Sequence, residues 1–249
     1  GSRLAVETAT LVVREFAQSM SDKTVEDIRQ LAKKFLPSEI VKRWKYAVRK
    51  HRQEKPFNQE ELEKLGEKAR QSLNEDGQYV AYGATLLLTM IAETHSIFLQ
   101  LGDGDILTVF SSGEVQRALE DDPDLIANET TSLSLSNAAH LFRSRVTERK
   151  EGIDEPKLIL LSTDGYGNAF ATDDDFLKVG SDLLGYLSDP ALGGKYVEEH
   201  LESWLEQASS QGSGDDVSVV LACRCSADGI SSVSHSCLKK GKTVASFFE

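Results

Sequence analysis

Positions Leu4, Thr8, Val12, Phe16 and Met20 recur every fourth residue, with Ala5, Ala9 and Val13 beside them. That stripe predicts a helix over residues 3–20 with one face suited to lying on a sheet. Residues 21–76 are charged and helical in pattern. Thr24 with Asp27 reads as a capping box, Pro37-Ser38 as the start of another helix, and Asn58 with Glu61 as the cap of a third, with Phe57 and Leu62 as its staple. This stretch is expected to cover one face of a sheet, with Trp44 and Tyr46 packing rather than binding a partner.

From residue 79 the period changes. Strands are expected over 79–92, 95–101, 105–110 and 114–118, and their short connections call for antiparallel neighbours, because parallel pairing needs a long crossover. Residues 119–150 are acidic and then polar, with a short helix expected around Asn137–Arg143. There Arg143, Arg145 and Arg149 read as a solvated face rather than as a greeting for an anionic substrate. Leu158-Ile159-Leu160-Leu161 reads as a strand buried on both faces. Two helices follow, one capped by Asp173–Asp175 and one over 195–209 with Val197, Leu201, Trp204, Leu205 and Ala208 inward. The Asp173–Asp175 cluster is explained by the helix dipole. Residues 226–249, rich in serine and lysine, are expected to be a tail or linker.

The buried strand 158–161 ends in Ser162-Thr163-Asp164-Gly165, and two other apolar runs end the same way. Residues 96–101 lead into Gly102-Asp103-Gly104-Asp105, and Gly214-Asp215-Asp216 precedes Val217-Ser218-Val219-Val220-Leu221. Each of these alone is also how an ordinary turn begins. If the three ends meet, their carboxylates cannot all stay ionised without a cation. Oxygen ligands with no histidine or cysteine beside them favour magnesium or manganese, then calcium, over zinc. The twelve-residue calcium loop ending in glutamate is missing.

The formal charge of -12 over 249 residues speaks against nucleic acid or an anionic membrane as the main partner. Three cysteines fit a reducing cytoplasm better than a disulfide framework, with Cys223 and Cys225 as packing residues. The longest mostly apolar run, residues 82–92, is too short to cross a bilayer. Asn128-Glu129-Thr130 fits the glycosylation pattern but has no secretory signal with it. His51, His95, His140, His200 and His235 lie away from the acidic motifs in sequence.

The ordered motifs Tyr82-Gly83-Ala84-Thr85, Leu101-Gly102-Asp103-Gly104-Asp105, Ser162-Thr163-Asp164-Gly165 and Gly214-Asp215-Asp216-Val217 resemble the metal-dependent PPM-type (type 2C) Ser/Thr protein phosphatases, the bacterial branch most closely. The resemblance covers residues 1–225. It implies an α+β fold, a four-layer α-β-β-α sandwich of two mainly antiparallel sheets flanked by helices, with a flap in 119–150. It also implies metal-ligand roles for Asp164 and Asp215, a supporting role for Asp103 and a reserve role for Asp216. Two Mg2+ or Mn2+ ions are implied, with a third left open because Asn168 stands where relatives carry an acid. The substrate implied is a phosphoserine or phosphothreonine protein, attacked by an activated water without a side-chain nucleophile.

An early Asp-Gly-x-Gly segment of that family has no counterpart here. The chain is therefore expected to be a domain lacking its first strands and to be inactive or nearly so alone. Two rivals stand beside this reading. Asp103-Gly104-Asp105 is similar to the acidic motif of haloacid dehalogenase-like phosphotransferases, whose chemistry wants parallel strands with intervening helices. The other rival is a non-catalytic regulatory module of the same fold that binds phosphoprotein or metal. Oligomeric state is not legible.

Overall fold

The stripe at the start of the chain forms helix α1, Ser2–Gln18, and its inward residues Ala5, Ala9, Val12 and Phe16 are buried. The fold comes from a computed structural model that describes residues 1–20, 22–64, 73, 77–119, 131–149, 155–224, 232–239 and 242–245, the last two segments and positions 61 and 78 by backbone alone. Helix α2, Val25–Glu54, starts at a reciprocal cap. The Thr24 N–H donates to the Asp27 carboxylate at 3.1 Å, and the Asp27 N–H donates to the Thr24 hydroxyl at 3.2 Å. The helix start expected at Pro37 does not occur, because Pro37 lies inside α2. An interior proline costs about 3 kcal/mol of helix propensity. Burial of Leu36, Pro37, Ile40, Val41 and Trp44 on one face outweighs it, and the Ser38 hydroxyl donates to the Lys34 carbonyl at 2.8 Å. Helix α3, Gln59–Glu63, follows Asn58 where a start was expected.

Among the described residues the strands are β1 (Leu86–Ile91), β2 (His95–Leu101), β3 (Asp105–Val109), β4 (Val115–Arg117), β5 (Arg143–Glu148), β6 (Leu158–Ser162), β7 (Val217–Cys223), β8 (Ser232–Lys239) and β9 (Lys242–Ala245). They form two antiparallel sheets, ordered β1-β2-β5 and β4-β3-β6-β7-β8-β9. With the helices this is the expected α+β class.

The chain divides into two compact units, and the first comprises Gly1–Gly102 and Asp122–Glu148. Its core gathers Phe16, Ile28, Leu36, Ile40, Trp44 and Val48 from α1 and α2 with Leu86, Ile97, Leu99 and Leu101 from the three-stranded sheet. Residues 79–82 were expected as strand but belong to a 3-10 turn, Gly77–Tyr82. The aromatic rings there are claimed by α2 instead of a neighbouring strand. Tyr79 lies 6.1 Å from Trp44 ring to ring, and the Tyr82 hydroxyl is 2.9 Å from His51 Nδ1. The helix expected around 137–143 is one 3-10 turn, Ala138–His140. Arg143 and Arg145 lie on β5, not on a helix face, because β5 completes the sheet against β2.

Strands β2 and β3, expected to pair as neighbours, belong to different sheets. The chain turns away at Gly102, whose φ is +111° and whose missing Cβ would sit 2.4 Å from the Thr85 methyl. A side chain there would be excluded twice, by dihedral and by contact.

The second unit comprises Asp103–Asp121 and Arg149–Glu249. At its centre β6 has Leu158, Ile159 and Leu160 buried, as its unbroken apolar run requires. After β6 come the short helical turn α4, Asp164–Gly167, and helices α5, Asp173–Ser188, and α6, Gly193–Gln207. Phe176, Leu183 and Leu184 of α5 and Val197, Leu201 and Leu205 of α6 pack on Leu107, Leu158, Leu160 and Val219 of the sheet. Cys223 is buried there as a packing residue, while Cys225 and Asn128 lie outside the described residues. Residues 232–239 and 242–245, within the expected tail, instead form β8 and β9, with β8 paired along the whole of β7. Such pairing needs backbone N–H and C=O groups and not an apolar period, so the serine-rich composition hid it.

Candidate active site at the end of strand β6

Strand β6 delivers Asp164 to the sheet edge through a tie to β7. The Thr163 N–H donates to the Ser218 carbonyl at 3.0 Å, and the Ser218 N–H donates back to the Thr163 hydroxyl at 2.9 Å. The chain then coils into α4, which it enters through Thr163, whose hydroxyl serves β7 and does not cap the turn. Asp164 is half-buried and lines a cavity of about 290 Å³ together with Asp103, Asp105, Arg117, Asn168 and Asp173.

The opposite shoulder is the turn before β7. The Gly214 N–H donates to the Ser209 carbonyl at 2.8 Å, the Ser209 hydroxyl to the Asp215 carbonyl at 2.6 Å, and the Asp216 N–H to Asp215 Oδ1 at 2.8 Å. Gly165 lets this turn come close. A Cβ on Gly165 would lie 2.8 Å from the Asp216 carbonyl oxygen and 3.2 Å from the Asp215 Cβ. Asp164 feels the charges of Asp103 and Asp215, two of the other three expected ligands. Burial, then the Asp103 charge, then that of Asp215 push the Asp164 carboxyl above the ordinary aspartate range, against the pull of the Gly165 N–H. Asp216 is exposed and meets α4 through its backbone carbonyl.

Among the described residues no three carboxylate, imidazole or thiolate groups lie close enough to enclose a metal ion. The fit for a hard cation is therefore that of an open site. Magnesium-like ions are commonly held by one or two carboxylates and keep several waters, and the mutual repulsion at Asp164 is the charge such an ion would balance.

Arg117 belongs to no sequence motif, yet it lines the same cavity. Its Nε donates to Asp105 Oδ1 at 2.7 Å, and its Nη1 and Nη2 donate to the two oxygens of Asp173 at 2.9 and 2.6 Å. The fork raises Arg117 above its already high range and holds Asp173 below the usual one. Asp173 thus does more than favour the helix dipole, since it ties the start of α5 to β3 and β4. The β3–β4 register places Arg117 there: Leu107 faces it, which makes Asp105 its diagonal neighbour. Arg149, expected on a solvated face, pairs with Glu155 at 2.6 Å, and Arg224 contacts the same carboxylate. His95 lies on β2 and His200 on α6, where its Nδ1 is 2.8 Å from the Tyr196 carbonyl oxygen; neither borders the acidic cavity.

The family model for Protein phosphatase 2C matches residues 1–206. Among solved structures the chain is similar to a bacterial serine phosphatase, at 15% identity and a TM-score of 0.42, over 64% of this chain and 66% of that one. It is also similar to the catalytic domain of the serine threonine protein phosphatase PstP in complex with 2 manganese ions, at 18% identity and a TM-score of 0.44, over 86% and 79%. Stp1 from Staphylococcus aureus matches at 14% identity and a TM-score of 0.40, over 62% of each chain. The chain thus spans just under two thirds of the first of these, at 66% of its length. No curated protein matches.

Proposed function

Because the chain belongs to the protein phosphatase 2C family, we propose that it is a phosphatase domain for phosphoserine and phosphothreonine proteins, working with a divalent cation at Asp164. The observation that carries this is the Asp164 carboxyl pushed upward by burial and by Asp103 and Asp215. A cation of the Mg2+ or Mn2+ type supplies charge neutralisation at the phosphoryl oxygens and activation of water. Asp164 would hold it, with Asp215 and Asp103 beside it and Asp216 in reserve. Thr163 fixes the direction of Asp164 by tying β6 to β7, and Arg117 keeps Asp105 and Asp173 engaged at the cavity wall. Asn168 lines the cavity where an acid would serve a third ion, so the proposal is for two. The setting is read as cytoplasmic from the cysteine usage.

A second reading, a non-catalytic module of the same fold, is favoured by one observation: no three ligating groups converge among the described residues. Low turnover by this chain is accordingly part of the proposal. The haloacid dehalogenase-like reading draws no support from the sheet, since β3 pairs antiparallel with both β4 and β6.

The test is Mn2+ binding by calorimetry and hydrolysis of a phosphothreonine peptide, for the wild type, for Asp164→Asn and with chelator. Binding weakened at least about tenfold by the substitution, with any turnover lost in parallel, is expected. Equal Mn2+ affinity in wild type and variant would sink the metal assignment. Binding without turnover would favour the regulatory module.

A further inference from the structure

Within the second unit lies a cavity of about 380 Å³ between α5 and α6, lined also by Tyr166, Ala169 and Phe170. It is larger than the acidic one, and nothing in the proposed chemistry uses it. Four of its walls are aromatic: Tyr166 and Phe170 from the α4 region, Tyr186 from α5 and Trp204 from α6. Tyr186 and Trp204 stack with ring centroids 5.5 Å apart, and Tyr186 keeps 37% of its surface exposed. Asp182 is the charged residue among the lining side chains, and its carboxylate pairs with Lys178 at 3.6 Å in an exposed contact. Gln207 and Gln211 add amide oxygens. Tyr166 is 5% exposed and meets Phe170 and Phe176 edge-on, with ring centroids 5.4 and 6.0 Å apart.

Aromatic faces, one carboxylate and several uncharged acceptors describe a receptor for a flat cation with many N–H donors. A guanidinium meets this description better than an ammonium, since it stacks on rings while its edge donates in plane. Phe170 lines both cavities, and Tyr166 stands two residues after Asp164, so the two cavities share a wall. The shared wall at Phe170 makes the second cavity the neighbour of a peptide bound at Asp164, and an advance of about 3.3–3.6 Å per residue sets how many residues separate the two side chains. We propose that the α5–α6 cavity binds an arginine side chain of the phosphoprotein substrate. This rests on the phosphatase reading and narrows its substrate class to sites with a nearby arginine.

The test measures binding of labelled phosphothreonine peptides to the full chain by fluorescence anisotropy. Each peptide carries one arginine, placed two to six residues to either side of the phosphoresidue, in an otherwise alanine and glycine background. One placement should tighten binding by about tenfold over the arginine-free peptide. Asp182→Asn and Trp204→Ala should each bring that ratio close to one. Asp182 is exposed, so its variant keeps the test valid if the tryptophan variant does not fold. In parallel, N-acetyl-arginine amide titrated into the protein should shift the Trp204 indole NMR signal, and N-acetyl-lysine amide should shift it less. If the phosphatase reading fails but the arginine site is real, the peptides show no phosphate dependence while the indole shift persists. The proposal is overturned if no placement of arginine helps, if lysine or leucine helps equally, or if Asp182→Asn leaves the ratio unchanged. It is equally overturned if Trp204→Ala abolishes a dimer seen by sedimentation while arginine has no effect, for then a second copy is the occupant.

Discussion

The two units of this chain are both built on an antiparallel sheet with packed helices, and both bury neutral polar side chains within strands, yet the expected ligand acids all belong to the second. In strand β2 of the first, His95 and Gln100 are each 4% exposed, and burial pushes the His95 imidazole toward its neutral form; in the second, Thr108 of β3 and Ser162 of β6 are buried in the same way. In the second, the acids stand at strand ends, where Asp164 keeps a backbone N–H and solvent beside it and Asp103 and Asp215 are exposed. A strand interior accepts a neutral polar group at modest cost, whereas an ionised carboxylate there would cost far more. Charge meant for chemistry therefore collects where strands stop. The first unit is a packed core of helices and sheet, and the second carries the acids proposed as the reactive edge.

The largest expected effect lies in the packed core of the first unit. Trp44 is fully buried among α1, α2 and Tyr79, and Trp44→Ala should lower unfolding free energy by about 3–5 kcal/mol in urea titrations. A parallel loss of Mn2+ affinity in the folded variant would blur the contrast between units. Gly165→Ala should cost about 1–3 kcal/mol, because its Cβ would press on the backbone carbonyl of Asp216. Here Mn2+ affinity should fall together with stability, which would separate the reactive edge from that core.

Arg117→Ala should cost about 1–2 kcal/mol at low salt and less at high salt, since the fork is about one-third exposed and leaves Asp105 behind without it. A salt-independent loss would mean that packing on Phe176, 5.9 Å away, matters more than charge. The smallest effect has the opposite sign. Asp164 has a raised carboxyl in the fold, so its contribution to stability is fully present below the unfolded value of about 3.9 and is lost as pH rises through the folded one. In chelator-treated protein, Asp164→Asn should therefore stabilise at neutral pH, by less than about 1 kcal/mol after solvent screening, and change little near pH 3. Thermal melts at both pH values check it, and destabilisation at pH 7 would show that the carboxylate is satisfied without a cation.

Much of the fold was legible. α1, the Thr24 cap, β2, β3, β4, β6 and both helices of the second unit follow from local rules of period and capping. The errors share a cause. Pro37 stays inside α2 and residues 79–82 stay out of a strand because buried partners distant in sequence outweigh local preference. At the site, Asp103, Asp164 and Asp215 were legible as strand-end acids, while the clasp of Arg117 on Asp105 and Asp173 was hidden in the hairpin register.

By itself the sequence determined most of the segments that coil or extend, where glycines allow the chain to turn, and that acids follow or precede three apolar runs, because those are properties of neighbours along the chain. Only the tertiary structure decided that β2 and β3 enter different sheets and that β8 extends the second one. It alone placed the charges of Asp103 and Asp215 close enough to raise Asp164, and an aromatic cavity sharing the Phe170 wall. Each of these depends on distances between residues far apart in sequence, and no local pattern carries a distance.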